Sequence, residues 1–298
     1  MSKLCKLSLY CVLRTSTNAE RGIVVTDRIR PEPPAPFAIA VFDIDGVIRD
    51  VGGSYRRALA DTVERFTDGA YRPTPEDIDR LKAEGIWNND WEGSQELVWR
   101  YFESQGTDRS RVSLEFEALV DFFQSRYRGE DAENPDNWTG YICQEPLLAD
   151  LTYFDRLTSD RVLWGFFSGA TRGSASYILQ RRIGLPNPVL VAMEDAPGKP
   201  DPTGLFDTVA QLEDRAGVST PLPTIYAGDT VADLYAVRKA AEADSSRPWI
   251  GVGVLPPHVQ TTPDRQAQYT QLLTEAGAKF VVKTVRELTA ARIRDAIS

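Results

Sequence analysis

From residue 160 onward the chain alternates between two patterns. The short apolar runs "RVLWGFFS", "PVLVAM", "TIYAGD", "WIGVGV" and "KFVV" are separated by helical stretches near 171–183, 203–216, 230–243 and 265–277. Parallel strands need a crossover to join them, and a helix is the compact way to make one, so the alternation predicts a parallel sheet covered by helices on both faces. One earlier run, "FAIAVFD", is apolar from Phe37 to Phe42, as expected of a strand buried on both sides. Between it and the next strand the periodicity is helical. Tyr55, Leu59, Val63 and Phe66 share one face, "TPEDIDRLKAEG" opens with a Thr74 cap and Pro75, and apolar sets centred on Leu97–Phe102 and Phe116–Tyr127 follow. The fold class expected is α/β: a doubly wound, Rossmann-like parallel sheet core with an inserted, mainly helical cap domain. The core takes residues 37–50 and 160–298, and the cap takes 51–159.

Residues 1–36 stand apart. "KLSLYCVL" is a short apolar run behind lysines with no clear small-residue cleavage site, and "RPEPPAP" reads as an extended linker. A loosely held tail without catalytic residues is expected there.

Composition narrows the function. With 298 residues, 42% of them hydrophobic and 26% charged, the chain suits a globular protein. Its formal net charge of -9 disfavours polyanionic partners, so neither nucleic acid nor an anionic membrane is an expected partner. Three scattered cysteines form no disulfide framework or zinc spacing, which suits a reducing, cytoplasmic setting. The one histidine, His258, sits in a Pro-Pro-His loop, which disfavours serine–histidine hydrolysis and multi-histidine metal sites. No feature of the sequence assigns an oligomeric state.

Ligands of doubly wound sheets bind at the carboxyl ends of the strands. There the first strand ends in Asp43 and Asp45, and the second in Ser168 and Gly169. "EDAPGKPDP" follows the third and carries Lys199, while "YAGDTVAD" closes the fourth with Asp229 and puts Asp233 one helical turn on. Any one of these aspartates could simply cap a helix. Two like charges two residues apart cost solvation and repel, and a cation or an acid–nucleophile pair would justify them.

In this order the features resemble the haloacid dehalogenase-like superfamily. "DIDGV" is similar to its first motif, Ser168 to the hydroxyl of the second, Lys199 to the third and "GDTVAD" to the acidic fourth. The insertion after the first motif resembles the cap of subfamily I, and "FDIDGVIRDVGGSYRRAL" resembles a little-characterised phosphatase-like clade within it. The resemblance implies a Mg²⁺-dependent phosphatase acting on a small phosphorylated metabolite. Asp43 would be the nucleophile that forms an aspartyl-phosphate, and Asp45 the acid and then the base. Ser168 and nearby backbone N–H groups would hold phosphate oxygens, and Lys199 would neutralise charge. The ion would lie on the Asp43 carboxylate, the Asp45 backbone carbonyl and Asp229, with Asp233 beside or behind them. A phosphomutase of the same superfamily, or a binding protein on the same scaffold, are the alternatives.

Recognition of the leaving group is expected from the insertion. "GIWNNDWEGS" reads either as a capping loop packed by Trp87 and Trp91 or as a substrate-contacting loop through Asn89 and Asp90. Arg49 is a further candidate for substrate contact, and Arg172 is either that or a solvated helix start. Lys82, the one lysine of the insertion, reads as solvent-facing.

Overall fold

A computed structural model describes residues 35–298, apart from positions 85 and 88. The tail expected over residues 1–36 therefore lies, but for its last two positions, outside the described residues, as does Asn88.

Six parallel strands form one sheet: β1 (Ala38–Phe42), β2 (Val162–Phe167), β3 (Leu190–Val191), β4 (Thr224–Gly228), β5 (Trp249–Val254) and β6 (Phe280–Val282), in the order β3-β2-β1-β4-β5-β6. β1 is central, with Phe42 in register with Phe166 on one side and Ala227 on the other. Its side chains alternate between two cores, as the pleat requires. Ala38, Ala40 and Phe42 enter one apolar cluster, and Ile39 and Val41 enter the other.

Before β2, four helices, α1 (Tyr55–Phe66), α2 (Pro75–Ala83), α3 (Asp90–Ser104) and α4 (Phe116–Tyr127), make up the insertion. Thr74 caps α2 in a reciprocal capping box with Asp77, with Pro75 at the first helical position. A fifth helix, α5 (Leu151–Ser159), falls inside the stretch assigned to the cap, yet its buried Tyr153 and Phe154 pack on the sheet. The Phe154 ring stands edge-on to Phe42 at 6.0 Å and to Phe166 at 5.5 Å. Its apolar face is thus complementary to β1 and β2 rather than to α1–α4. The legs of the insertion run side by side well before α5. Leu148 N donates to Ile48 O at 2.7 Å, Asp50 N donates to Pro146 O at 2.9 Å, and Arg49 and Leu147 form an antiparallel bridge.

Beyond β2 come α6 (Arg172–Ser176), extended by a π-helical turn over Tyr177–Arg182, then α7 (Thr203–Ala216), α8 (Val231–Ala243), α9 (Pro263–Glu275) and α10 (Ala290–Ile297). The side chains of α5, α6 and α10 cover the Phe42 face, while those of α7 and α8 cover the Ile39 face. Strand β3 keeps only two residues of its apolar run, and α10 has no counterpart in the sequence reading. Lys82 is not solvent-facing. Its ammonium pairs with Asp90 at 2.7 Å and donates to Trp87 O at 2.7 Å, bridging α2 to the start of α3. Among the described residues no helix is long and apolar enough to cross a membrane.

Because Phe154 fills the joint between α5 and the middle of the sheet, Phe154→Ala should cost about 3–5 kcal/mol of stability. Urea unfolding checks it, and a loss below about 1 kcal/mol would show that α5 does not depend on this contact.

Candidate active site

Three adjacent strand ends build the site. Asp43 follows β1, and its N–H donates to Ala227 O at 2.9 Å, which extends the β1–β4 ladder by one residue. Asp229 follows β4, and Ser168 follows β2, where its N–H donates to Val191 O at 3.0 Å. One oxygen from each of Asp43, Asp229 and Asp233 lies within 4.8 Å of the other two. Lys199 comes in from the loop after β3, with Nζ 2.6 Å from Asp233 Oδ1 and 3.0 Å from Asp43 Oδ1. All four side chains are buried or nearly so.

Two glycines make room for this cluster. Gly46 has φ +74°, and a β-carbon there would stand 2.1 Å from Asp229 Oδ2. At Gly228 it would stand 2.3 Å from the Asp233 β-carbon. The chain can therefore turn away after Asp45, and the two acids can approach, only where side chains are missing.

The carboxylates differ in what already holds them. Asp233 is fully committed. Its Oδ2 accepts from Thr230 N and Oγ1 at 2.9 and 2.7 Å, and its Oδ1 accepts from the Tyr226 hydroxyl at 3.1 Å and faces Lys199. Burial works to raise its carboxyl, but Lys199 and the Thr230 donors outweigh that and hold it below the usual carboxylate range. Asp43 is pushed up to about 6, first by burial and then by Asp233 and Asp45, with Lys199 opposing. Asp229 is held well above its ordinary value, again by burial first and then by Asp233 and Asp43. Asp43 Oδ1 is a buried acceptor without a hydrogen bond, Lys199 being near but misaligned. Three acids against one ammonium, with such an orphaned oxygen, fit a small hard cation that takes oxygen ligands.

The remaining sequence candidates divide. Ser168 is buried and its Oγ accepts from Ala170 N at 3.2 Å, inside the loop that exposes Gly169. The Asp45 carboxylate is not one of the three clustered acids and is held by Arg49, whose Nε donates to Oδ1 at 2.6 Å. Arg49 is fully buried, and its Nη1 also donates to Tyr127 at 2.6 Å and Glu145 at 2.9 Å. Burial pushes the Glu145 carboxyl up, with Arg49 and Ser54 opposing. Arg172 is half-exposed and ion-paired with Asp195. Asn89 caps α3 by accepting from Trp91 N at 2.9 Å, and Asp90 pairs with Lys82, so the described partners of both lie within the insertion.

Sequence reasoning passed over Tyr226, Tyr127 and Glu145. Tyr226 carries a signal, since a hydroxyl in a doubly buried strand must find a partner. Its single hydroxyl hydrogen is shared between Phe167 O at 2.9 Å and Asp233 Oδ1 at 3.1 Å. Tyr127 and Glu145 meet Arg49 from 78 and 96 residues away, and no local pattern marks them.

The family model of haloacid dehalogenase-like hydrolases matches residues 37–241, a span that begins one residue before β1 and ends within α8. The chain belongs to the haloacid dehalogenase-like hydrolase family. A curated relative of this hydrolase, named imidazoleglycerol-phosphate dehydratase, from Phytophthora nicotianae, is 28% identical over 256 residues, 83% of the chain and 50% of the relative. The hydrolase thus spans about half the length of that protein. Among solved structures it is similar to phosphatase Tt82 from Thermococcus thioreducens, with a TM-score of 0.57, 22% identity, and coverage of 72% of this chain and 92% of the other. A Thermotoga maritima protein described as a β-phosphoglucomutase gives 0.53 at 16% identity, covering 88% and 100%. At these identities the likeness establishes the shared fold.

Gly46 is the sharpest steric condition on the site. Gly46→Ala should displace the Asp229 carboxylate and weaken Mn²⁺ binding, followed by calorimetric titration, at least about tenfold, with the far-ultraviolet circular dichroism retained. Unchanged Mn²⁺ affinity would mean that Asp229 is not held against this turn.

Proposed function

We propose that the hydrolase is a Mg²⁺-dependent phosphatase that hydrolyses a small phosphorylated metabolite through a phosphorylated Asp43. The observation that carries this reading is the Asp43 carboxylate, buried beside Lys199 with one oxygen free of any hydrogen bond. In the proposed sequence an Asp43 oxygen bonds to phosphorus in line as the bond to the leaving oxygen breaks. Asp45 gives its proton to that oxygen. It then takes a proton from water, whose oxygen bonds to phosphorus and releases phosphate and the Asp43 carboxylate. Ser168 and the N–H groups of the loop around Gly169 bind phosphoryl oxygens, and Lys199 balances charge on Asp43 and the phosphoryl group.

Asp43 and Asp229, with the Asp45 backbone carbonyl, would hold a divalent cation, which would supply charge neutralisation across the transferring group. Asp233 acts from behind, because its oxygens are already taken by Thr230, Tyr226 and Lys199. Its work is to orient Lys199. Mg²⁺ suits oxygen ligands that leave several positions for water and phosphate.

A panel of phosphorylated metabolites assayed for phosphate release with Mg²⁺, and again with EDTA, tests the reading. Imidazoleglycerol phosphate joins the panel because of the curated relative's name. Isomerisation of a sugar phosphate without net phosphate release would favour the phosphomutase instead. Asp43→Asn should lower turnover by at least about a thousandfold with the fold retained, and more than a few per cent of residual activity would defeat the covalent route. Protons compete with the cation for carboxyls whose pKa is raised. The Mg²⁺ concentration for half-maximal activity should therefore climb as pH falls through about 6, where Asp43 takes up its proton. A requirement that stays flat from pH 7.5 to 5.5 would separate Asp43 from the cation.

A further inference from the structure

Arg49 stands between the acid of the first motif and the insertion. Its guanidinium is fully buried and makes three directed contacts: Nε to Asp45 at 2.6 Å, and Nη1 to the Tyr127 hydroxyl at 2.6 Å and to Glu145 at 2.9 Å. Tyr127 ends α4, and Glu145 lies on the returning leg of the insertion. The network is closed around its edges. Ser54 donates to the other Glu145 oxygen, and the Tyr55 ring stacks on Tyr127 at 4.1 Å and lies 5.3 Å from the guanidinium carbon. Only Nη2 of Arg49 is left without a hydrogen bond.

Such an arrangement is costly to build. A buried guanidinium needs its charge matched, and one carboxylate is enough for that. A plain structural tie between the legs could use Glu145 alone. Here the shorter of the two carboxylate contacts goes to Asp45, whose own side chain is 29% exposed at the site. An exposed aspartate on a turn would otherwise sample several rotamers, while proton transfer requires it at one position. The backbone fixes the same geometry, since Gly46 N donates to Arg49 O at 2.9 Å and closes the turn that brings the two side chains together.

We infer that Arg49, fixed by Tyr127 and Glu145, is a positioning residue that holds Asp45 in line with the leaving-group oxygen. The insertion therefore takes part in proton delivery. The inference rests on the phosphatase reading, and it changes the role of Arg49 from substrate contact to support of the acid.

The test compares two esters by kcat/KM, which reports steps through phosphoryl transfer. p-Nitrophenolate leaves without needing a proton, whereas the alkoxide of an alkyl phosphate such as glycerol phosphate needs one. Arg49→Lys cannot span Asp45 and Glu145 together, and should lower kcat/KM for the alkyl ester at least about tenfold more than for the p-nitrophenyl ester. Tyr127→Phe removes one contact of Nη1, keeps the ring stack, and should shift the ratio the same way by about threefold. In an Asp45→Asn background, Tyr127→Phe should add nothing further to the loss on the alkyl ester. Equal losses on both esters, or full additivity with Asp45→Asn, overturn the positioning role. If Arg49→Lys does not fold, an unchanged ratio in Tyr127→Phe overturns it alone. A wild-type enzyme that hydrolyses neither ester nor any other phosphate monoester instead defeats the phosphatase reading, and the proposal with it.

Discussion

The site is organised around one ammonium group shared among buried acids. Lys199 lies within ion-pair distance of Asp43 and Asp233, and Asp229 closes the cluster from the next strand end. Inside a protein, charges interact far more strongly than in water, so three acids and one cation are unstable unless geometry or a further cation relieves them. Part of the relief is structural. Thr230 and Tyr226 donate to Asp233, which stays ionised and anchors the lysine. What is left over falls on Asp43 and Asp229, the two acids with the least support, whose carboxyls are both pushed up.

The end of α4 touches this machinery at two neighbouring residues. Tyr127 reaches Arg49 and through it Asp45, while Arg128 donates to Thr171 and Ser174 at 2.8 and 3.2 Å, just past the Ser168 loop. The end of α4 is thereby referenced both to the turn that carries Asp45 and to the loop after Ser168. A second tie runs outside, where Asp79 of α2 pairs with Arg56 of α1 and Arg265 of α9. These contacts register the insertion against three different parts of the core.

Much of this was legible from the residues alone, for a physical reason. A strand buried on both faces must be apolar throughout, so "FAIAVF" announced β1, and the acids at strand ends are the departures from that rule. The packing of α5 was hidden because its apolar face has the same helical period as α1–α4, and periodicity does not say which partner a face will meet. The fate of Arg49 was hidden for a similar reason. Its partners Tyr127 and Glu145 are far away in sequence, and each alone looks like an ordinary helix or loop residue. Lys82 was misread because its partner Asp90 lies on the far side of a loop, eight residues on. Local pattern names the chemistry held by each strand end, while long-range pairing decides which charges are spent on one another.

The central place of β1 has a consequence for how the chain is made. Ala38 pairs with Val162, and Ile39 pairs with Thr224, so the strand that leads into Asp43 emerges from the ribosome long before either neighbour exists. Until then its doubly apolar surface and both hydrogen-bonding edges have no native cover. Pairings at such sequence separation are slow to close, since most of the loop entropy must be lost before the contact forms. Four helices of the insertion lie in that interval, and local contacts let them fold early. The last part of the site to arrive is the turn after β4, with Asp229 and then Asp233 at the start of α8. The nascent protein therefore cannot assemble its acid cluster until four of the six strands have been made.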